Sequence, residues 1–177
     1  MLSFKSHLTV MAHYNAVMND RLIATVRPLG DAELAAPRGA FFGSILGTMN
    51  HLVVGDLMWL NRMRPYPFGQ ALAALDGLPK PSRVDEILCP GLAAYEPMRR
   101  QLDALLGDFV AGLGEEDLAA PFAYRNRNNE PFTKTLGLVL SHVFNHQTHH
   151  RGQITTLLSQ MGLDIGVTDL APMVPDV

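Results

Sequence analysis

Histidine is the residue type whose number and spacing point to chemistry in this chain. Of seven histidines, His142, His146, His149 and His150 fall in one nine-residue stretch. If the surrounding segment LSHVFNHQTHHRGQITTLLSQMG is helical, each residue advances about 100°. With His142 at the origin, Leu136, Val139, Leu140, Val143, Ile154, Leu157, Leu158 and Met161 form an apolar stripe between about 60° and 160°. His150 then lies at about 80°, inside the stripe, and His146 at about 40°, on its flank. His142 and His149 lie about 100–120° from its centre. His146 and His150 are spaced i, i+4, which stacks two imidazoles one turn apart on a single face, as sharing one cation requires. Buried imidazoles need partners for both ring nitrogens. A metal ion takes one nitrogen from each ring and leaves the other N–H for a nearby acceptor. Failing a metal, the same rings must hydrogen-bond to side chains, and the protein is then a metal-free interaction module.

A closed zinc site needs four protein ligands, and a catalytic one needs three with a position left open. A further ligand must therefore come from another part of the chain. Candidates by type are His51, Asp56, Glu96, His13 and His7. The segment around His51 is apolar nearly all round, and its periodicity selects Asp56 as readily as His51. A fourth protein ligand would make the site structural and the protein a non-catalytic metal- or small-molecule-binding bundle. Other chemistries fail on spacing. No Glu lies three residues before a His, as di-iron bundles require. Val143 and Gln147 occupy the positions where HExxH proteases carry their general base. The single cysteine, Cys89, excludes a c-type haem site and an intramolecular disulfide, and reads as a small buried apolar residue.

Four long segments could position these histidines. The first spans about Phe4 to Val26 and ends before Pro28. The second starts with Ser44 as N-cap and stops near Arg64, ahead of Pro65 and Pro67. The third region is expected to hold a short helix over 83–88 and a longer one from about Pro90 to Leu113, kinked at Pro97 unless it starts later. The fourth is capped by Thr133 or Thr135 and runs to about Gln160, with Gly162 as its stop. A short turn is expected at 31–34 and a short helix at 70–75. The segment PFAYRNRNNEPFTK reads as strand-like or irregular, and its RNRNN run as a solvated turn. No period-two alternation persists, so the fold is expected to be all-α, a single four-helix bundle with loop insertions.

Composition narrows the class. The chain has 177 residues, 47% apolar and 18% charged, which suits one domain over residues 1–177 with its own core. Fourteen basic against seventeen acidic residues give a net charge of −3. That balance supplies no footprint for nucleic acid and no basic membrane patch. No stretch is apolar enough to span a bilayer, and the N-terminal region lacks the apolar run of a signal peptide. A cytoplasmic location is expected.

Three stretches make the sequence resemble the DinB/YfiT-like family of helical-bundle metalloenzymes. They are Tyr14-Asn15 with Asn19-Asp20-Arg21-Leu22; Ser44-Ile45 through Asn50-His51, Asp56 and Trp59-Leu60; and, most specific, His142 through Gln153. The resemblance implies that His51, His146 and His150 hold a divalent metal, zinc or nickel, and so chooses His51 over Asp56. It further implies a homodimer and a small-molecule substrate, with thiol-dependent S-transfer or isomerisation among the known activities. Such a metal would activate a low-molecular-weight thiol, or water for hydrolysis, and act as a transferase or hydrolase centre. Two residues are assigned supporting roles: Arg151 as a bidentate clamp for a substrate carboxylate, and Asp56 as the group orienting a histidine, with ion pairs between or along helices the simpler role for both. Tyr14 and Trp59 read more simply as packing residues, and no role is assigned to His142 or His149.

Overall fold

The computed structural model describes residues 3–176 and is mostly helical. Helix α1 spans Phe4–Val26, and the Ser3 hydroxyl accepts the Ser6 N–H to cap its first turn. The short α2, Asp31–Ala35, follows. Helix α3, Ile45–Met63, is capped in the same way by Ser44, which accepts from the Gly47 N–H. A 3-10 stretch occupies Pro67–Gly77. Helix α4 spans Leu92–Gly112, and the short α5 spans Glu115–Ala119. An antiparallel hairpin of β1, Pro121–Arg125, and β2, Pro131–Thr135, pairs Pro121 with Thr135 and Arg125 with Pro131. Helix α6, Leu136–Gln160, follows, and a short 3-10 turn occupies Ala171–Met173. Among the described residues no helix is long and apolar enough to cross a membrane.

Two expectations for the third region change. Segment 83–88 is not helical, and α4 begins at Leu92, beyond Pro90, with Pro97 inside its second turn. The segment has another way to satisfy its backbone. The Glu86 carboxylate accepts the Ser82 and Arg83 N–H groups at 3.0 and 3.4 Å. Glu86 thereby stabilises a turn that competes with helix. The Val84 carbonyl is left free for a partner outside the segment. The strand-like reading of PFAYRNRNNEPFTK resolves into the hairpin, whose turn is closed by the Asn126 side chain accepting from the Asn128 and Glu130 N–H groups.

The long helices pack in a cycle: α1 on α4, α4 on α3, α3 on α6 and α6 on α1. Helix α3 is buried on nearly every side, Val54 and Leu57 included. The all-round apolarity of this segment is met within the single chain, because α2 and the 3-10 stretch cover what α4 and α6 leave. Between the helices runs a closed polar ring. The Arg99 guanidinium is fully buried and pairs with Asp56 at 2.5 Å and Asp103 at 3.1 Å. Asp103 accepts from the Asn15 and Asn19 amides at 3.0 and 2.9 Å. The oxygens of those two amides accept from Arg151, which also donates to Gln147. Gln147 closes the ring by donating to Asp56 at 2.7 Å. Two arginines and two aspartates balance, so no net charge is stranded in the interior.

Candidate metal centre

Three rings converge where α3 passes α6. The ring nitrogens of His51, His146 and His150 that face one another all lie within 4.8 Å. Their ring centroids are 4.4–4.8 Å apart. The i, i+4 spacing on α6 stacks His146 and His150, and α3 brings His51 across from them. Helix α3 can approach because residue 55 is glycine: a Cβ there would lie 3.0 Å from His146 Cε1.

Oxygen acceptors set the tautomers. His51 Nδ1 lies 2.8 Å from the Val84 carbonyl, and His150 Nδ1 lies 2.8 Å from Gln153 Oε1. Each Nδ1 must carry the proton to make its bond, so each Nε2 is left with a free lone pair. The Gln153 amide nitrogen contacts His149 Nε2 at 3.2 Å. His51 Nε2 lies 2.9 Å from His146 Nε2. Phe42 stacks on His51 with a centroid distance of 3.8 Å and meets His150 edge-on at 5.5 Å, shielding one side of the group.

Burial pushes the pKa of all three rings down. His146 falls to about 3, through burial first and then the neighbouring His150 and His51. For His51 the hydrogen bond to Val84 opposes the effect of burial, and for His150 the bond to Gln153 does. Neutral imidazoles are the form in which histidine binds a metal.

Both His51 and His146 open onto a cleft of about 560 Å³, whose wall includes Trp59, Arg62, Tyr124, Arg127 and His142. A neighbouring, mainly apolar cleft of about 610 Å³ shares Trp59, Tyr124 and His142 with it. His142 thus stands between the two clefts, 6.0 Å from the His146 ring by centroids, and burial lowers its pKa as well. Trp59 packs against the core from its edge and also borders both clefts. The RNRNN run is a turn, but Asn126, Arg127 and Asn128 face the first cleft rather than bulk solvent alone.

The other residues singled out from sequence lie elsewhere. Asp56 hydrogen-bonds to Arg99 and Gln147, and no histidine is among its partners. Its expected role of orienting a ligand gives way to the helix–helix ion pair. Arg151 projects from another face of α6 into the polar ring and does not border the histidine cleft, so a substrate carboxylate in that cleft does not meet it. Tyr14 donates to the Thr168 carbonyl at 2.7 Å. Glu96 pairs with Arg27 and Arg100, His13 is exposed, and His7 stacks on Phe4. Cys89 is buried with its thiol pKa raised by burial, as expected of a packing residue. Gln153 and the Val84 carbonyl were not anticipated. Gln153 stands i+3 from His150, a spacing that pattern alone offers. A backbone carbonyl carries no signal in sequence.

The fold and site define a mostly helical protein with three clustered imidazoles able to hold a metal ion. The chain belongs to the DinB family, whose profile matches residues 3–173. It is 27% identical over 157 residues to the protein named DinB of Bacillus subtilis strain 168, an alignment that covers 88% of this chain and 87% of that one.

Proposed function

We propose that this protein is a divalent-metal-dependent enzyme in which His51, His146 and His150 are the protein ligands of zinc or nickel. The observation that carries the reading is the convergence of three neutral imidazoles, two with Nδ1 tied to oxygen acceptors, beside an open cleft. The donor set fits such an ion: three nitrogens with no further His, Cys, Asp or Glu grouped with them among the described residues, the pattern of a site with an open position. A bound ion would supply Lewis acidity, polarising a carbonyl and lowering the pKa of a thiol or water that reaches it.

The chain's own groups do the remainder. His51 and His150 present Nε2 lone pairs in fixed directions. Phe42 covers one side of the ligands, so a small molecule approaches from the cleft. Asp56 and Arg151 act as positioning residues, joining α3, α4, α6 and α1 so that His51 meets the other two rings. In this reading the long helices are a four-helix bundle, and the reaction is thiol-dependent transfer or hydrolysis on a small molecule in the cytoplasm. A homodimer, implied by the family resemblance, belongs to the same reading, and light scattering tests it. The 2.9 Å contact between His51 Nε2 and His146 Nε2 favours a second reading, in which the rings bond to each other and no metal is needed.

Elemental analysis of tag-free protein after reconstitution decides between them. Stoichiometric metal in wild type, lost in His51→Ala, His146→Ala and His150→Ala, is expected. A wild type that takes up none leaves only the second reading. Screening small thiols with electrophiles then tests transfer, and activity surviving in His51→Ala would contradict the ligand set.

A further inference from the structure

Whatever enters the histidine cleft meets two cations and no anion. Arg62 and Arg127 both line it, and no Asp or Glu does. Among the described residues neither arginine makes an ion pair. Asp85, one residue from the lining Val84, is already held by Arg83 at 2.6 Å. This local excess of positive charge runs against the chain as a whole, which carries −3.

Arg62 is also pre-positioned. Its guanidinium lies 4.8 Å from the Trp59 ring centroid and 5.9 Å from that of Tyr124. The two rings hold the guanidinium in place beside the cleft, where it can meet a planar or tetrahedral oxyanion. Burial lowers its pKa, the mark of a charge held partly out of water without a counter-charge. Arg127 comes from the hairpin turn, so a ligand bound by both arginines is gripped from α3 and from the hairpin at once. Beyond the shared Trp59 and Tyr124 lies the apolar cleft, bounded by Pro121, Leu138 and Val139.

We infer that the substrate is a small organic oxyanion with an apolar body, its carboxylate or phosphate held by Arg62 and Arg127 and its body lying in the neighbouring apolar cleft. The inference rests on the cleft being the active site and does not depend on which metal serves it.

Benzoate is the probe, with benzamide as its uncharged counterpart and acetate as an anion without a body. Calorimetric titrations use wild type, Arg62→Gln and Arg127→Gln, each metal-free and metal-loaded. Wild type should bind benzoate more tightly than either control. Each variant should weaken benzoate binding by about tenfold or more and leave benzamide unchanged, in both metal states. Equal affinity for benzoate and benzamide, arginine-independent binding, or no binding of benzoate to wild type overturns the inference. Acetate binding as tightly as benzoate removes the apolar body from it. If Arg62→Gln does not fold, Arg127→Gln on the exposed turn carries the test. The two readings fail separately: a wild type without metal uptake but with this pattern sinks the metal centre alone, and metal uptake with arginine-independent benzoate binding sinks this inference alone.

Discussion

A histidine ligand is oriented by whatever its second nitrogen bonds to. For His150 that partner is Gln153, and for His51 it is the Val84 carbonyl. Gln153→Ala should therefore lower metal affinity by about 10–100-fold while leaving the helix intact, as measured by competition with a chromogenic chelator. Unchanged affinity would mean that the amide does not set the His150 tautomer. The lowered pKa values also fix a sign for pH dependence. His146 titrates near 6.5 when unfolded and at about 3 when folded, so between those values the unfolded chain binds the extra proton. Stability of the metal-free protein is then full above pH 6.5 and declines as pH falls toward 3. Urea midpoints between pH 5.5 and 6.5, above the range where most carboxylates titrate, should fall with pH in wild type and fall less steeply in His146→Gln, where His51, His150 and His142 keep their lowered pKa values. Parallel profiles for the two would show that this imidazole is not the titrating group.

Helix ends and contacts decide whether these rings can meet. Helix α6 closes with the Leu163 N–H on the Leu158 carbonyl and the Gly162 N–H on the Ser159 carbonyl, both at 3.0 Å. Gly162 has φ +77°, a conformation in which a Cβ costs about 1–2 kcal/mol. Gly162→Ala should lower stability by about that amount and leave metal content untouched, since the strain lies three turns from His150. Gly55→Ala is the opposite case. The added methyl presses on the His146 ring at 3.0 Å, so α3 or the ring must give way. Metal affinity is expected to fall at least tenfold with a smaller change in melting temperature. A variant that binds metal normally would show that the crossing has slack.

For the whole molecule the polar ring is the element that ties the four long helices to one register. Removing one member leaves a buried charge without its partner, which costs about 3–5 kcal/mol. Asp56→Ala should be destabilised by that much, and a double-mutant cycle with Arg99→Met should return a large share of it, read from denaturant melts. Strict additivity would mean that the two charges act independently despite their 2.5 Å contact.

The four long helices were legible from caps, prolines and apolar stripes, and His146 and His150 from their spacing alone. These are local properties: a helix wheel and a capping hydroxyl involve residues within a turn or two. Against this, segment 83–88 is a turn held by Glu86, which no periodicity records, and α4 starts at Leu92, whose N–H donates to Asp31 from a distant part of the chain. Arg151 was read as a clamp for a substrate carboxylate and Asp56 as a group orienting a histidine, because sequence does not say which partner a buried charge meets. Arg99 for Asp56, and Asn15 and Asn19 for Arg151, all distant in the chain, are the missing half of that answer. His51 was indistinguishable from Asp56 by pattern, since α3 is apolar all round, and only the family resemblance chose it. The crossing of α3 over α6 at Gly55 brings His51 to the other two rings and turns Asp56 toward Arg99. Sequence determined which groups were available and how each helix would present them. Which groups share a point in space depended on packing between elements, because distance across an interface is set by the side chains of both surfaces together.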